Sequence, residues 1–126
     1  MIRCSSLAYI RDNQVLLVRV RDLSVWYFPG GKINKGETGE QALARELKEE
    51  LHLTIDPSKL EFLTKVVTPN HDRTDTVELF AYTLPDLPDV RPGAEISEIK
   101  WHNVADSDLM APAVIEVMKR IHAPEL

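Results

Sequence analysis

Residues Gly31 to Leu53 read GKINKGETGEQALARELKEELHL, and the fold is decided there. Thr38 followed three residues later by Gln41 is a capping-box pattern, in which each side chain satisfies a backbone N–H at the start of a helix. Gln41 to Leu51 consists of strong helix formers. At about 100° per residue, Leu43, Leu47 and Leu51 make an apolar stripe. Glu46, Glu49 and Glu50 cluster on a neighbouring face and therefore sit at the rim of what the stripe buries. Like charges three and four residues apart cost a helix about 0.2–0.5 kcal/mol per pair, and Arg45, four before Glu49, relieves only part of it. On the helix alone a solvated acidic face is the simpler account; a cation beside the acids is the other.

Working outward, the chain alternates strands with helices. Ile2 to Ile10 reads as a strand, Arg11 to Gln14 as a turn and Val15 to Val20 as a second, β-rich strand, together a hairpin. Val25 to Phe28 extends briefly before Pro29-Gly30-Gly31 opens a loop lasting to about Glu37. Beyond the helix, Asp56-Pro57 breaks the chain, and Leu60 to Thr68 and Thr76 to Leu84 form two strands around the polar loop Pro69 to Asp75. Pro85, Pro88 and Pro92 mark an irregular connection, followed by a short strand around Ile99 to Trp101. Pro112 suits a first helical position, with Val114, Val117, Met118 and Ile121 on one face behind it. Strands with two interspersed helices make an α/β sandwich the expected architecture.

Composition narrows the function. The chain has 126 residues, 44% hydrophobic and 28% charged, which suits one packed domain spanning 1–126. No apolar run approaches the ~20 residues that cross a bilayer, so no membrane partner and a cytoplasmic location are expected. Net charge is −5, a poor footprint for general nucleic-acid binding. Residues 1–35 nevertheless carry +4 against −9 for the rest, a balance that suits an anionic ligand held through metal ions. Cys4, the single cysteine, reads as a small buried hydrophobe.

Gly31, then five residues and Glu37, then seven and Arg45-Glu46-Leu47-Lys48-Glu49-Glu50-Leu51-His52-Leu53, resembles the signature of the Nudix hydrolases, the MutT-like family: G-x5-E-x7-R-E-U-x-E-E-x-G-U, with U aliphatic. Eight of its nine specified positions match. The preceding Trp26 to Lys32 and the order of elements resemble the family as well, which implies an α/β/α sandwich with a mixed β-sheet between helices.

The resemblance implies a magnesium- or manganese-dependent pyrophosphohydrolase. Glu46, Glu49 and Glu50 would bind the metal, joined by the carbonyl of Gly30, while Glu37 with Arg45 would tie the loop to the helix. Hard divalent cations favour clustered carboxylate oxygens and also bridge diphosphate oxygens. Such a metal polarises phosphorus, neutralises the leaving group and acidifies a water that attacks. The implied substrate is a nucleoside diphosphate derivative, a small nucleotide such as an NTP or dNTP; the alternatives are a nucleotide sugar or dinucleoside polyphosphate, or a module that senses nucleotides without catalysis. A homodimer stays open.

The one departure is His52, where the family has Gly at a left-handed helix end; it implies a modest stability cost or a shifted helix end. Some family members add a Glu from the loop before the last strand, about six residues ahead of a Trp. Glu95 stands at that distance from Trp101 and is expected to join the metal site, with Glu98 as competitor near the strand rim. Arg19, Arg21, Lys32 and Arg73 are candidates for contacts to the substrate, and of Trp26 and Tyr27 one would stack on a base while the other packs in the core. His71, His102 and His122 lack metal-ligand spacing. Leu109 to Ala113 offers none of the Asn that some relatives use to read guanine, which speaks against a guanine nucleotide.

Overall fold

The N-terminal strand ends sooner than its sequence suggests. In the computed structural model, which describes residues 1–70 and 73–121, β1 spans Ile2–Leu7 and a separate strand β2 holds only Ile10–Arg11. Between them the Ala8 N–H donates to the carbonyl of Tyr82, 2.8 Å, while the carbonyl of Tyr9 accepts from Leu16 N–H, 3.1 Å. The chain thus leaves one sheet and enters another within two residues. The hairpin expected from Ile2 to Val20 is therefore formed by β2 and β3 (Gln14–Val20) alone. Asp12 and Asn13 turn it with φ of 54° and 63°, the left-handed pair that matches the twist of a two-residue hairpin loop.

Strand β4 is Gly30–Lys32, and helix α1 is Gly39–Leu51. After a short 3-10 turn at Pro57–Lys59 come β5 (Glu61–Pro69), β6 (Thr76–Thr83), β7 (Ile96–Asn103) and helix α2 (Pro112–Ile121). β7 is longer than the short strand expected around Ile99, because it pairs with β3 from Gln14–Asn103 to Val20–Ile96. Two sheets result: a mixed one in the order β4-β1-β6-β5, with β1 and β6 parallel, and an antiparallel one in the order β2-β3-β7. The expected mixed sheet is present, and the antiparallel β2-β3-β7 sheet stands beside it.

Each helix closes its own core. Leu43, Leu47 and Leu51 of α1 pack with Leu7, Tyr82 and Ile96, and Val114, Val117 and Met118 of α2 pack with Val66, Leu79 and Ala81. Strand β3 serves both, Val18 in the α1 core and Leu17 in the α2 core, so its buried run is continuous and not alternating. The architecture is α/β/α, with the acid-bearing face of α1 turned toward the β1–β4 end of the mixed sheet. Among the described residues no helix is long and apolar enough to cross a membrane.

Candidate active site

Both ends of α1 are fixed by local chemistry. At its start Gln41 N–H donates to Thr38 Oγ1, 3.1 Å, and Thr38 N–H to Gln41 Oε1, 3.0 Å. At its end His52 is left-handed, φ 53° and ψ 33°, and its N–H donates to the carbonyl of Leu47. The helix end is not shifted by the missing glycine. Glu46, Glu49 and Glu50 project from the last turns between these fixed points.

Arg45 organises the loop before the helix. Its Nε and Nη2 donate to the two carboxylate oxygens of Glu37 at 2.9 and 3.0 Å, and Nη2 also reaches the carbonyl of Lys32, 3.1 Å. Glu37 accepts a further bond from the N–H of Asn34, 2.9 Å. The guanidinium hydrogen bonds, with Asn34 assisting, hold the Glu37 carboxyl well below the usual range, at about 2. The same guanidinium lies 3.4 Å from Glu46 and 3.7 Å from Glu49, so one cation serves three acids.

Glu50 turns the other way, accepting the N–H of Gly30 at 2.9 Å. Burial pushes its carboxyl up to about 8, against the pull of the Gly30 N–H and with help from the charges of Glu46, Glu49 and Glu95. Burial also raises Glu46, Arg45 opposing and Glu49 assisting. A Cβ at Gly31 would stand well inside contact distance of Glu46 Oε2, so a larger residue there would push that carboxylate aside.

Among the described residues no three acidic, histidine or cysteine side chains are already gathered around one point at ligand distance. The set still fits a hard divalent cation. Its donors are carboxylate oxygens, two of the three are desolvated, and their mutual repulsion is answered by a single guanidinium committed to Glu37. Gly30 presents its N–H to Glu50, and that bond adds the backbone of β4 to the cluster.

The segment leading to β7 docks on the same helix end. Arg91 N–H donates to the carbonyl of Leu51, 3.0 Å, and Gly93 N–H to that of Glu50, 2.7 Å. Glu95 follows and forms an ion pair with Arg21, whose N–H also donates to the Glu95 carbonyl, 2.8 Å. Glu98 pairs with Arg19 at 2.5 Å, and that guanidinium lies over the Trp26 ring, 5.2 Å from its centroid. Arg19 and Arg21, two apart in sequence, hold different acids: Arg19 belongs to β3, while Arg21 lies just beyond it with φ 52°.

The other candidates divide between core, cavity and surface. Trp26 is buried against His102, ring centroids 4.4 Å apart, whereas Tyr27 lines a cavity of about 310 Å³ together with Gly30, Gly31 and Glu50. Lys32 ends β4 with an exposed side chain; Arg73 is exposed, with φ 60°, and does not line the cavity. His71 and His122 lie outside the described residues. The far wall of the cavity is made by Ala111 to Val114 at the start of α2, within and beside the stretch where some relatives carry a base-reading Asn, and by Thr68 and Asn70 at the end of β5, of which sequence reasoning missed Thr68. For Thr68 the one signal was strand alternation, which puts it on the same face as Val66.

A profile of the NUDIX domain matches residues 1–121. An 8-oxo-dGTP diphosphatase of Proteus vulgaris is 45% identical over 58 residues, which cover 46% of this chain and 50% of that protein. Among solved structures, a MutT NUDIX hydrolase from Burkholderia pseudomallei superposes with a TM-score of 0.79 at 20% identity, over 95% of this chain and 97% of that one. The NUDIX domain of Shewanella oneidensis NrtR, solved with ADP ribose, gives 0.73 at 24% identity over 98% and 87%. These two likenesses show the fold, and the matched stretch spans half or less of the curated relatives' length. With the profile covering the chain from Met1 to Ile121 and the acid-bearing helix lying inside it, the protein belongs to the NUDIX family.

Proposed function

We propose that the chain hydrolyses the diphosphate linkage of a nucleoside diphosphate derivative, a small nucleotide such as an NTP or dNTP, with magnesium or manganese bound by Glu46, Glu49 and Glu50. The observation that carries this reading is the place of Glu50: it belongs to the desolvated acid cluster and to the wall of the 310 Å³ cavity at once. A ligand with an anionic end and a largely apolar, aromatic end fits such a juncture. The bound cation supplies charge neutralisation of the diphosphate and a more acidic attacking water.

The chain's own residues do the rest. The Glu37–Arg45 pair keeps the 32–37 loop against α1, so that Gly30 and Gly31 stay beside the carboxylates. Arg21, on leaving its ion pair with Glu95, and the exposed Lys32 would meet phosphate oxygens. Glu95, once Arg21 turns to a phosphate, is the base for the attacking water, since the Gly93 N–H fastens its segment to the carbonyl of Glu50. Tyr27 offers the nucleoside an aromatic face, while Trp26 stays in the core.

The test is a screen of nucleotides, nucleotide sugars and dinucleoside polyphosphates with magnesium, reading phosphate and pyrophosphate release. Glu49→Gln should lose at least roughly 100-fold in rate on the best substrate. A mutant within about threefold of the wild type removes the cluster from the reaction. Wild-type protein that binds a nucleotide and cleaves none is the sensing module.

A further inference from the structure

Thr68 ends the buried part of β5, opposite Val77 of β6, and its residue is only 8% exposed. A threonine in a strand is unremarkable for its shape. Its hydroxyl here is another matter, because Oγ1 is buried and has no hydrogen-bond partner. Leaving a hydroxyl unpaired costs a fold stability that a valine of the same outline would not lose. The residue lines the cavity that begins at Glu50.

The neighbouring polar side chain is already committed. Asn70 Oδ1 accepts from the N–H of Thr74, 2.9 Å, and of Asp75, 3.2 Å, while its Nδ2 donates to Thr74 Oγ1, 3.2 Å. The amide is therefore spent on Thr74 and Asp75. Around Thr68 the wall is apolar, with Val77, Leu79, Ala111 and Val114. An apolar slot whose wall holds one unsatisfied hydroxyl, sealed from the slot as the fold stands and turned into it by rotation of the Thr68 side chain, suits a flat ring that carries a polar edge.

Resting on the reading of the site as a nucleotide hydrolase, we propose that Thr68 is a specificity-determining residue whose hydroxyl bonds the polar edge of the nucleobase, with the phosphates directed to the Glu50 end of the cavity. A hydroxyl both donates and accepts, so it serves an amino or a keto edge alike. What it rejects is a ring with no polar group at that place, and a site built around such a bond discriminates strongly against a ligand that lacks it.

Thr68→Val keeps the outline and removes the hydroxyl; Thr68→Ser keeps the hydroxyl. Both are assayed with the natural nucleoside triphosphates and with ribose triphosphate lacking a base, in magnesium. Binding of the nucleoside monophosphates is titrated separately, without metal. The expected result is at least a tenfold loss of kcat/KM for the preferred nucleotide in Thr68→Val, carried by KM, with the base-free substrate changed less than threefold. Monophosphate binding should weaken in parallel, Thr68→Ser should restore both, and Thr68→Val should melt no lower than the wild type.

An unchanged nucleotide preference in Thr68→Val overturns the proposal and leaves the hydrolase reading standing. An equal loss on the base-free substrate, or a lowered melting temperature, makes the hydroxyl structural and overturns it too. Wild-type protein that cleaves no nucleotide but binds monophosphates through Thr68 overturns the hydrolase reading alone, and protein that neither cleaves nor binds them overturns both.

Discussion

The amide of Gly93 donates to the carbonyl of Glu50 over 2.7 Å, so the segment that brings Glu95 to the site is fastened to the helix carrying the acid cluster. A Cβ on Gly93 would stand 2.5 Å from the Glu49 carbonyl oxygen and 2.9 Å from His52 Nε2. Gly93→Ala must push the segment away. We expect a melting temperature lower by about 5 °C, on the scale of overpacking in a chain of this size. The hydrolytic rate should fall by roughly tenfold or more, as in Glu95→Gln, while Glu98→Gln changes it by less than about threefold. Thermal melts and steady-state kinetics on the three variants decide it, and a Gly93→Ala protein with wild-type values for both would show that Glu95 does not depend on this anchorage.

His52→Gly addresses the other side of the same contact. The residue is left-handed at φ 53°, a conformation that glycine adopts without Cβ strain. Urea unfolding should show a gain of up to ~1 kcal/mol, with magnesium affinity unchanged. A loss of stability would mean that the ring's packing beside Gly93 outweighs the backbone strain.

Glu37 gives acid sensitivity a definite direction. Its carboxyl is lowered from 4.5 to about 2 in the folded chain, chiefly by the Arg45 hydrogen bonds. The contribution of the ionised group is therefore complete above the unfolded value and is lost as pH falls toward 2. The difference in melting temperature between wild type and Glu37→Gln should be largest near pH 6 and shrink steadily from pH 4.5 downward. A difference that stays constant to pH 2.5 would place the pair outside the stability of the loop.

Cys4 faces the cavity and its thiol is pushed up to about 11 by burial, Lys32 opposing and Glu46 assisting. At pH 8 the thiolate fraction is about a hundredfold below that of an ordinary thiol. Alkylation by iodoacetamide should be slower by that factor than for a free cysteine peptide and should accelerate up to about pH 11. A rate at pH 8 within threefold of the peptide would show an accessible, unperturbed thiol.

The parts of this molecule that were legible in its sequence are those made by neighbours along the chain. Thr38 with Gln41 starts α1, the Leu43–Leu47–Leu51 stripe buries it, and His52 ends it, all within fifteen residues. The break at Ala8–Tyr9 was not legible, because strands in either sheet show the same β-rich character and nothing local says which edge a strand will join. Arg21 and Glu95 are 74 residues apart, and Arg19 and Glu98 are 79; the sequence named all four but not which arginine holds which acid. Thr68 was hidden for a different reason: in sequence it is one more β-branched residue, and only the absence of a partner for its hydroxyl sets it apart.

The passage of the chain between sheets at Ala8–Tyr9 also sets a timetable for assembly. β1 must wait for residues 77–82 before β6 can lie beside it, and β3 must wait for residues 96–103 before it meets β7. Of the long ladders described, only β5 with β6 joins strands that follow one another directly in the chain. On a ribosome β1 and β3 would therefore emerge early and lack their long ladders until most of the protein had been made, and closing those distant pairings is the slow kind of folding step. Until then the apolar run Val15–Val18 would stand uncovered, which makes the interval of synthesis, and not the finished fold, the period in which this chain is most open to aggregation.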